Sequence, residues 1–311
     1  METQASYTDN SREGTTGERS SKYYSRLFRK FVLLTLLSSL TPLLLVGWGI
    51  NVYYTRFAKE RMLDDLQTQV AHHRKIIELF LAEHRSKLNL IAHSHSRDEL
   101  TRLANLTDIF DMINRDYWAI TDLGIIDADG RHLAYIGPYD LMDRNYAEAD
   151  WFKEVMQKNI YISDMFMGFR REPHFVIAVA RPENGAKWIL RATVNTDVFR
   201  SLVENVRIGK TGEVYLLNRA GYYQTTPRFQ GKIMEKAPYP IETEQPGMRV
   251  RVLESQTGGG GENRPRQIVC EAWLENPKWL LVVKQDYAEA FSDVNHANYA
   301  ILIFLHLSAL R

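Results

Sequence analysis

The chain has 311 residues, 45% hydrophobic and 25% charged, with 39 Lys and Arg against 38 Asp and Glu. That is material for about two domains with cores of their own, and a formal charge of +1 supplies no global field that would attract a nucleic acid. A single cysteine, Cys270, excludes an intramolecular disulfide framework and any zinc site built from several thiolates.

Residues 1–25 are polar, rich in Ser, Thr and Gly, and nearly free of aliphatic side chains. They bury too little apolar surface to offset ordering, so a disordered cytoplasmic tail is expected. From Phe31 to Ile50 the sequence is FVLLTLLSSLTPLLLVGWGI, and no charge occurs between Lys30 and Arg56. Twenty helical residues rise about 30 Å, the thickness of a bilayer's hydrocarbon core. A transmembrane helix is therefore expected over 31–51, with lipid as its partner and Trp48, Tyr53 and Tyr54 at the interface. A cleaved signal peptide is the competing reading, but its apolar region would be shorter and nearer the terminus. Lys22, Arg26, Arg29 and Lys30 crowd the near side, which places it in the cytoplasm and the following domain outside the inner membrane.

Residues 52–103 contain neither Gly nor Pro, and Met62, Leu66, Val70, Ile77, Leu81, Leu88 and Ile91 recur in steps of three, four or seven. This predicts one long stalk helix, with a possible break at His93 to Ser96. Its apolar stripe calls for a partner surface, and a homodimer is the expected source.

Strand patterns follow. Residues 122–137 read as a hairpin turning at Asp129-Gly130. Trp151 to Lys158 reads as a helix, and Tyr161–Met167, His174–Arg181 and Trp188–Asn195 as strands, with Asp197 capping a helix over Val198 to Val206. A similar arrangement recurs: Glu213 to Gln224 as strand–turn–strand, then strands Met248–Leu253, Gln267–Leu274 and Trp279–Gln285, with a hairpin tip at Gly258 to Gly261. The expected fold class is α+β, with two tandem antiparallel-sheet modules at 104–200 and 201–290. From Tyr287 a last helix leads through 291–311 into YAILIFLHLSAL, which reads as the start of a second span.

Motifs with catalytic chemistry are weak. Gly209-Lys-Thr-Gly212 lacks the upstream glycine and following helix of a phosphate loop, and reads as a turn. Asp127, Asp129 and Gly130 lack the bidentate carboxylate of a calcium loop. His72, His73, His84, His93 and His95 have no metal-ligand spacing and read as solvated or packing residues. Cys270, inside an apolar strand, reads as an inert buried thiol. No catalytic residue, metal or cofactor is expected.

The order of these elements resembles a known family. Ile208 to Gly221 (IGKTGEVYLLNRAG) looks like the opening of a membrane-proximal Cache module. Gly137-Pro-Tyr-Asp-Leu141, Tyr146, Asp150 to Val155, Ser163 to Arg170 and Pro173-His-Phe175 resemble the membrane-distal module of double-Cache sensors, most of all those of bacterial sensor histidine kinases. The resemblance spans roughly residues 50 to 298. It implies a receptor that binds a small solute in its distal module and transmits a helix displacement to an output module such as a histidine kinase. The alternatives are a chemotaxis receptor, a diguanylate cyclase or a membrane-tethered enzyme. Aromatic walls with a few fixed polar groups suit a solute pocket, and the candidates are Tyr139, Arg144, Tyr146, Trp151, Phe169, Arg170 and His174. Amino-acid-binding members carry Tyr, Arg five positions on, and Trp-Tyr after one intervening residue. Tyr139 and Arg144 match, but Tyr146-Ala147 stands where Trp-Tyr is expected and an ammonium-binding Asp has no counterpart. The expected ligand is a carboxylate or amine metabolite.

Overall fold

The computed structural model describes residues 14–204, 209–241, 247–254 and 266–292, with side chains from residue 25 onward. The expected second span and the glycine-rich tip at 258–261 lie outside the described residues. The chain divides into two units, Met1–Glu60 with Val294–Arg311, and Arg61–Asp293.

In the first unit the helix α1 (Gly14–Ser94) begins inside the segment expected to be a disordered tail. It contains Pro42 and is long and apolar enough to cross a membrane. Leu33, Leu34, Leu45, Val46 and Ile50 are each at least half exposed, a surface that suits lipid tails. Thr35, Ser39 and Thr41 return their hydroxyls to the carbonyls of Phe31, Leu36 and Leu37, which satisfies these three groups within the helix.

In the second unit the stripe on α1 is buried from Leu66 through Val70, Ile77, Leu81 and Leu88 to Ile91. The chain covers it by itself. His73 Nε2 donates to Val203 O at 2.8 Å, Glu78 accepts the Glu275 amide at 3.1 Å, and Arg181 Nη1 donates to Ala92 O and His95 O at 2.6 Å. The stripe therefore gives no ground for a second copy along this stretch. The helix stops at Ser94, short of the expected 103. Ser96 caps α2 (Arg97–Leu100) by a capping box with Glu99, and α3 (Leu103–Asn114) follows.

Among the described residues nine strands form two antiparallel sheets. β1 (Ile120–Ile126), β2 (His132–Ile136), β3 (Ile160–Ile162), β4 (Val176–Glu183) and β5 (Ala186–Val194) lie in the order β2-β1-β5-β4-β3. β6 (Glu213–Leu217), β7 (Met248–Glu254), β8 (Arg266–Trp273) and β9 (Leu280–Asp286) lie in the order β6-β9-β8-β7. The helix α4 (Asp150–Lys158) joins β2 to β3, α5 (Thr196–Glu204) joins the sheets, and α6 (Tyr287–Ala290) follows β9. Asp197 does not cap α5; the Asn195 side chain does, accepting the amides of Asp197 and Val198.

Gly209-Lys-Thr-Gly212 is a turn, as expected, and its two central amides are occupied. Glu289 of α6 accepts the Lys210 and Thr211 amides at 2.6 and 2.8 Å. Of the expected packing histidines, His73 and His84 are buried and bonded to the backbone carbonyls of Val203 and Phe80. Cys270 is fully buried, and burial pushes its thiol up to about 12.

An aromatic cluster ties the long helix to both sheets. Phe199 of α5 packs against Phe80 of α1 (5.9 Å between centroids), Phe175 before β4 (4.9 Å) and Trp279 before β9 (5.9 Å). All four rings are buried.

Candidate functional site

The first sheet is buried on both faces. One face carries Leu123, Ile125, Leu190, Ala192 and Ile177, all buried. The register sets Gly124 opposite both Arg191 and Tyr135, Asp122 opposite Thr193, and Ala178 opposite Arg191. The period-2 rule then places Asp122, Tyr135, Arg191 and Thr193 together on the other face. Residues 137–175, including α4, cover that face. Tyr146, Trp151, Phe152 and Val155 pack there on Ile126, Val176, Ala178 and Ile189. Gly137 makes the close approach possible, because a Cβ there would collide with Asp122 and with the Tyr135 hydroxyl.

Under this cover lies a buried charge cluster. Arg191 Nη2 donates to Asp122 Oδ1 at 2.9 Å, and Arg170 Nη2 pairs with Asp122 Oδ2. Arg170 also donates to Thr193 Oγ1 at 2.5 Å, and the Tyr135 hydroxyl donates to Asp122 Oδ2 at 3.3 Å. Rings flank both guanidiniums: Tyr139 lies 4.7 Å from Arg170 Cζ and Tyr146 lies 5.2 Å from Arg191 Cζ. Burial, and after it the Arg191 charge, lowers Arg170 to about 9. Burial, with Arg191 second, lowers His132 to about 4; burial, with the Arg170 and Arg191 charges adding to it, does the same to His174. Both rings give Nδ1–H to a carbonyl, His132 to Leu141 O at 2.7 Å and His174 to Glu172 O at 2.8 Å.

Beside the cluster is a cavity of about 790 Å³. Tyr146, Trp151 and Phe169 from the expected set line it, with Tyr161 and Phe166. Asn218, Tyr222, Gln224 and Met234, which follow β6, line it from the second sheet's side. Gly168, at φ +51, also lines it, and a Cβ there would press on His174 and Phe166. The loop before β4 is tied across to the second module: the Met165 amide donates to Gln224 Oε1 (2.8 Å), and Asp164 accepts Trp279 Nε1–H (2.6 Å) and the Asn218 side-chain amide (2.9 Å).

The remaining expected residues do not line this cavity. Tyr139 and Arg170 belong to the charge cluster, and the Tyr139 hydroxyl donates to Glu172 Oε2 at 2.9 Å. Arg144 is exposed, over the Phe169 ring at 5.6 Å. His174 is buried against Phe166, 4.4 Å between ring centroids. Sequence reasoning missed Asp122 and Arg191, although a signal was present: each is a charge inside an otherwise apolar strand run, ITDLGII and WILRATV. Among the described residues no group of His, Cys, Asp and Glu could hold a metal ion.

The Cache domain family (dCache_1) matches residues 54–294, and the chain belongs to it. No curated protein sequence matches the chain. In fold the chain is similar to the ligand-binding domain of the Pseudomonas aeruginosa PAO1 amino acid chemoreceptor PctB in complex with L-Arg. The TM-score is 0.60 at 13% identity, over 76% of this chain and 93% of that one. It is similar to the ligand-binding domain of the Pseudomonas fluorescens chemoreceptor CtaA in complex with L-isoleucine (TM-score 0.58, 13% identity, 76% and 97% covered). The extracellular domain of rpHK1S-Z16, assigned as a histidine kinase, aligns with TM-score 0.54 at 13% identity, covering 76% and 98%. At such identities the likeness is one of fold, and the fold is that of receptor sensor domains.

Proposed function

We propose that this chain is the extracytoplasmic sensing part of an inner-membrane receptor. Its distal module (104–200) binds a small solute, its proximal module (201–290) stands between that module and the membrane, and the 31–51 helix anchors it. Binding favours one of two arrangements of the modules, and the ligand biases them only by its difference in affinity. The output on the far side of the membrane is of the histidine-kinase kind. A chemotaxis output is the second reading, favoured by the chemoreceptor domains that share the fold.

The observation that supports solute binding is the cavity itself. It is concave, aromatic-walled and ligand-sized, and it adjoins a buried polar cluster. Its wall is hydrogen-bonded to the second module through Asp164 and Met165, so a ligand that displaces the wall moves both modules. The test is a thermal-shift screen of organic acids, amino acids and amines on the full chain. A hit should lose its stabilising effect in Tyr146→Ala; a hit unaffected by Tyr146→Ala and Trp151→Ala sinks the assignment.

A further inference from the structure

The buried cluster carries more positive charge than it balances. Asp122 supplies one negative charge, Arg170 and Arg191 two positive ones, and all three side chains are at most 4% exposed; Glu172, the other carboxylate that acts on Arg170, is exposed to solvent. The Nε–H groups of both arginines are buried with no hydrogen-bond partner among the described residues. So are Trp151 Nε1–H and the Tyr146 hydroxyl, and these two residues line the cavity. Tyr146 links the two features, with its ring in the cavity wall and Arg191 against it. Three of these four groups can only donate, and the fourth can. A buried donor without an acceptor and a buried charge without a counter-charge are both costly. One anionic acceptor answers both.

We infer that the distal site takes a monocarboxylate that carries no amino group. This rests on the solute-binding reading above and names its ligand class. The carboxylate offers acceptors to Trp151 Nε1–H and the Tyr146 hydroxyl and neutralises the excess charge of Arg170 and Arg191. At the cluster end an ammonium finds no free acceptor, because both Asp122 oxygens are already held by guanidiniums. The rest of the cavity limits the other end of the ligand. Its carboxylates are Glu148, bonded to Lys153 at 2.8 Å, Asp164, bonded to Asn218 and Trp279, and the exposed Asp150. With no Lys, Arg or His in the lining, these repel a second carboxylate, while Tyr161, Phe166, Phe169 and Tyr222 suit an uncharged tail.

The test is calorimetric titration of the full chain in nanodiscs with straight-chain monocarboxylates from propionate to octanoate. The amine, the 2-amino acid and the dicarboxylate of each length are titrated beside them. At least one monocarboxylate should bind, and its amine, amino-acid and dicarboxylate counterparts at least about tenfold more weakly. Tyr146→Phe deletes an unpartnered hydroxyl, so the ligand-free melting temperature should hold or rise while monocarboxylate affinity falls roughly tenfold. Arg170→Gln should weaken it at least as much. An amine or amino acid that binds as tightly as the monocarboxylate, and is weakened by Tyr146→Phe, overturns the ligand class and leaves the distal site standing. Monocarboxylate binding that neither substitution changes overturns the distal site itself. No binding by any member at millimolar concentration also overturns the ligand class.

Discussion

Asp122 is the residue on which the covered face of the first sheet depends. It is fully buried, it accepts from Arg191 and Tyr135, and it pairs with Arg170. Asp122→Asn leaves two guanidiniums facing each other without a counter-charge, and should cost about 3–5 kcal/mol of stability in urea titrations. A loss below about 1 kcal/mol would mean that the cluster is solvated. The neighbouring histidines set an acid limit. His132 and His174 are held near 4, below the ordinary 6.5. Between those values the unfolded chain binds protons that the folded one refuses. Their contribution is present in full above pH 6.5 and is lost as pH falls from about 6.5 to about 4. Urea midpoints should fall across that window, and His132→Gln should flatten the fall; midpoints level down to pH 4 would show that neither ring is buried neutral.

At the scale of elements, the joint matters most. Phe199 brings α1, β4, α5 and the start of β9 together through ring contacts with Phe80, Phe175 and Trp279. Phe199→Ala should therefore cost about 3–5 kcal/mol, read as a shift of the urea midpoint at constant slope. Asp164 adds the polar half of the joint by accepting from Trp279 and Asn218. Much of this level was legible in the sequence. The break between Ser94 and Ser96, the hairpin at Asp129-Gly130 and the long apolar stripe all follow from local chemistry, because turn residues and 3.6-residue periodicity act over a few positions. The cap of α5 was misread, since Asn195 and Asp197 are both good caps and only the backbone geometry chooses between them.

For the whole molecule the decisive quantity is which side of a membrane the folded unit occupies. The only native thiol, Cys270, is fully buried, so a cysteine introduced at exposed Ala128 reports alone. Ala128→Cys should react with a membrane-impermeant maleimide in spheroplasts before lysis. Labelling only after lysis would reverse the topology.

What the sequence by itself determined is the order of parts: an apolar helix, a long amphipathic helix, two strand-rich modules and the family they compose. These depend on runs and periods, which are local. What only the tertiary structure decided is the company each charged residue keeps. Asp122, Arg170 and Arg191 are 48 and 69 positions from first to second and from first to third in the chain, and only strand register and the fold-over of residues 137–175 bring them together. The long stripe likewise looked open to a partner until the folded unit buried it. Burial and charge balance are properties of neighbours in space, and spacing along a chain does not specify them.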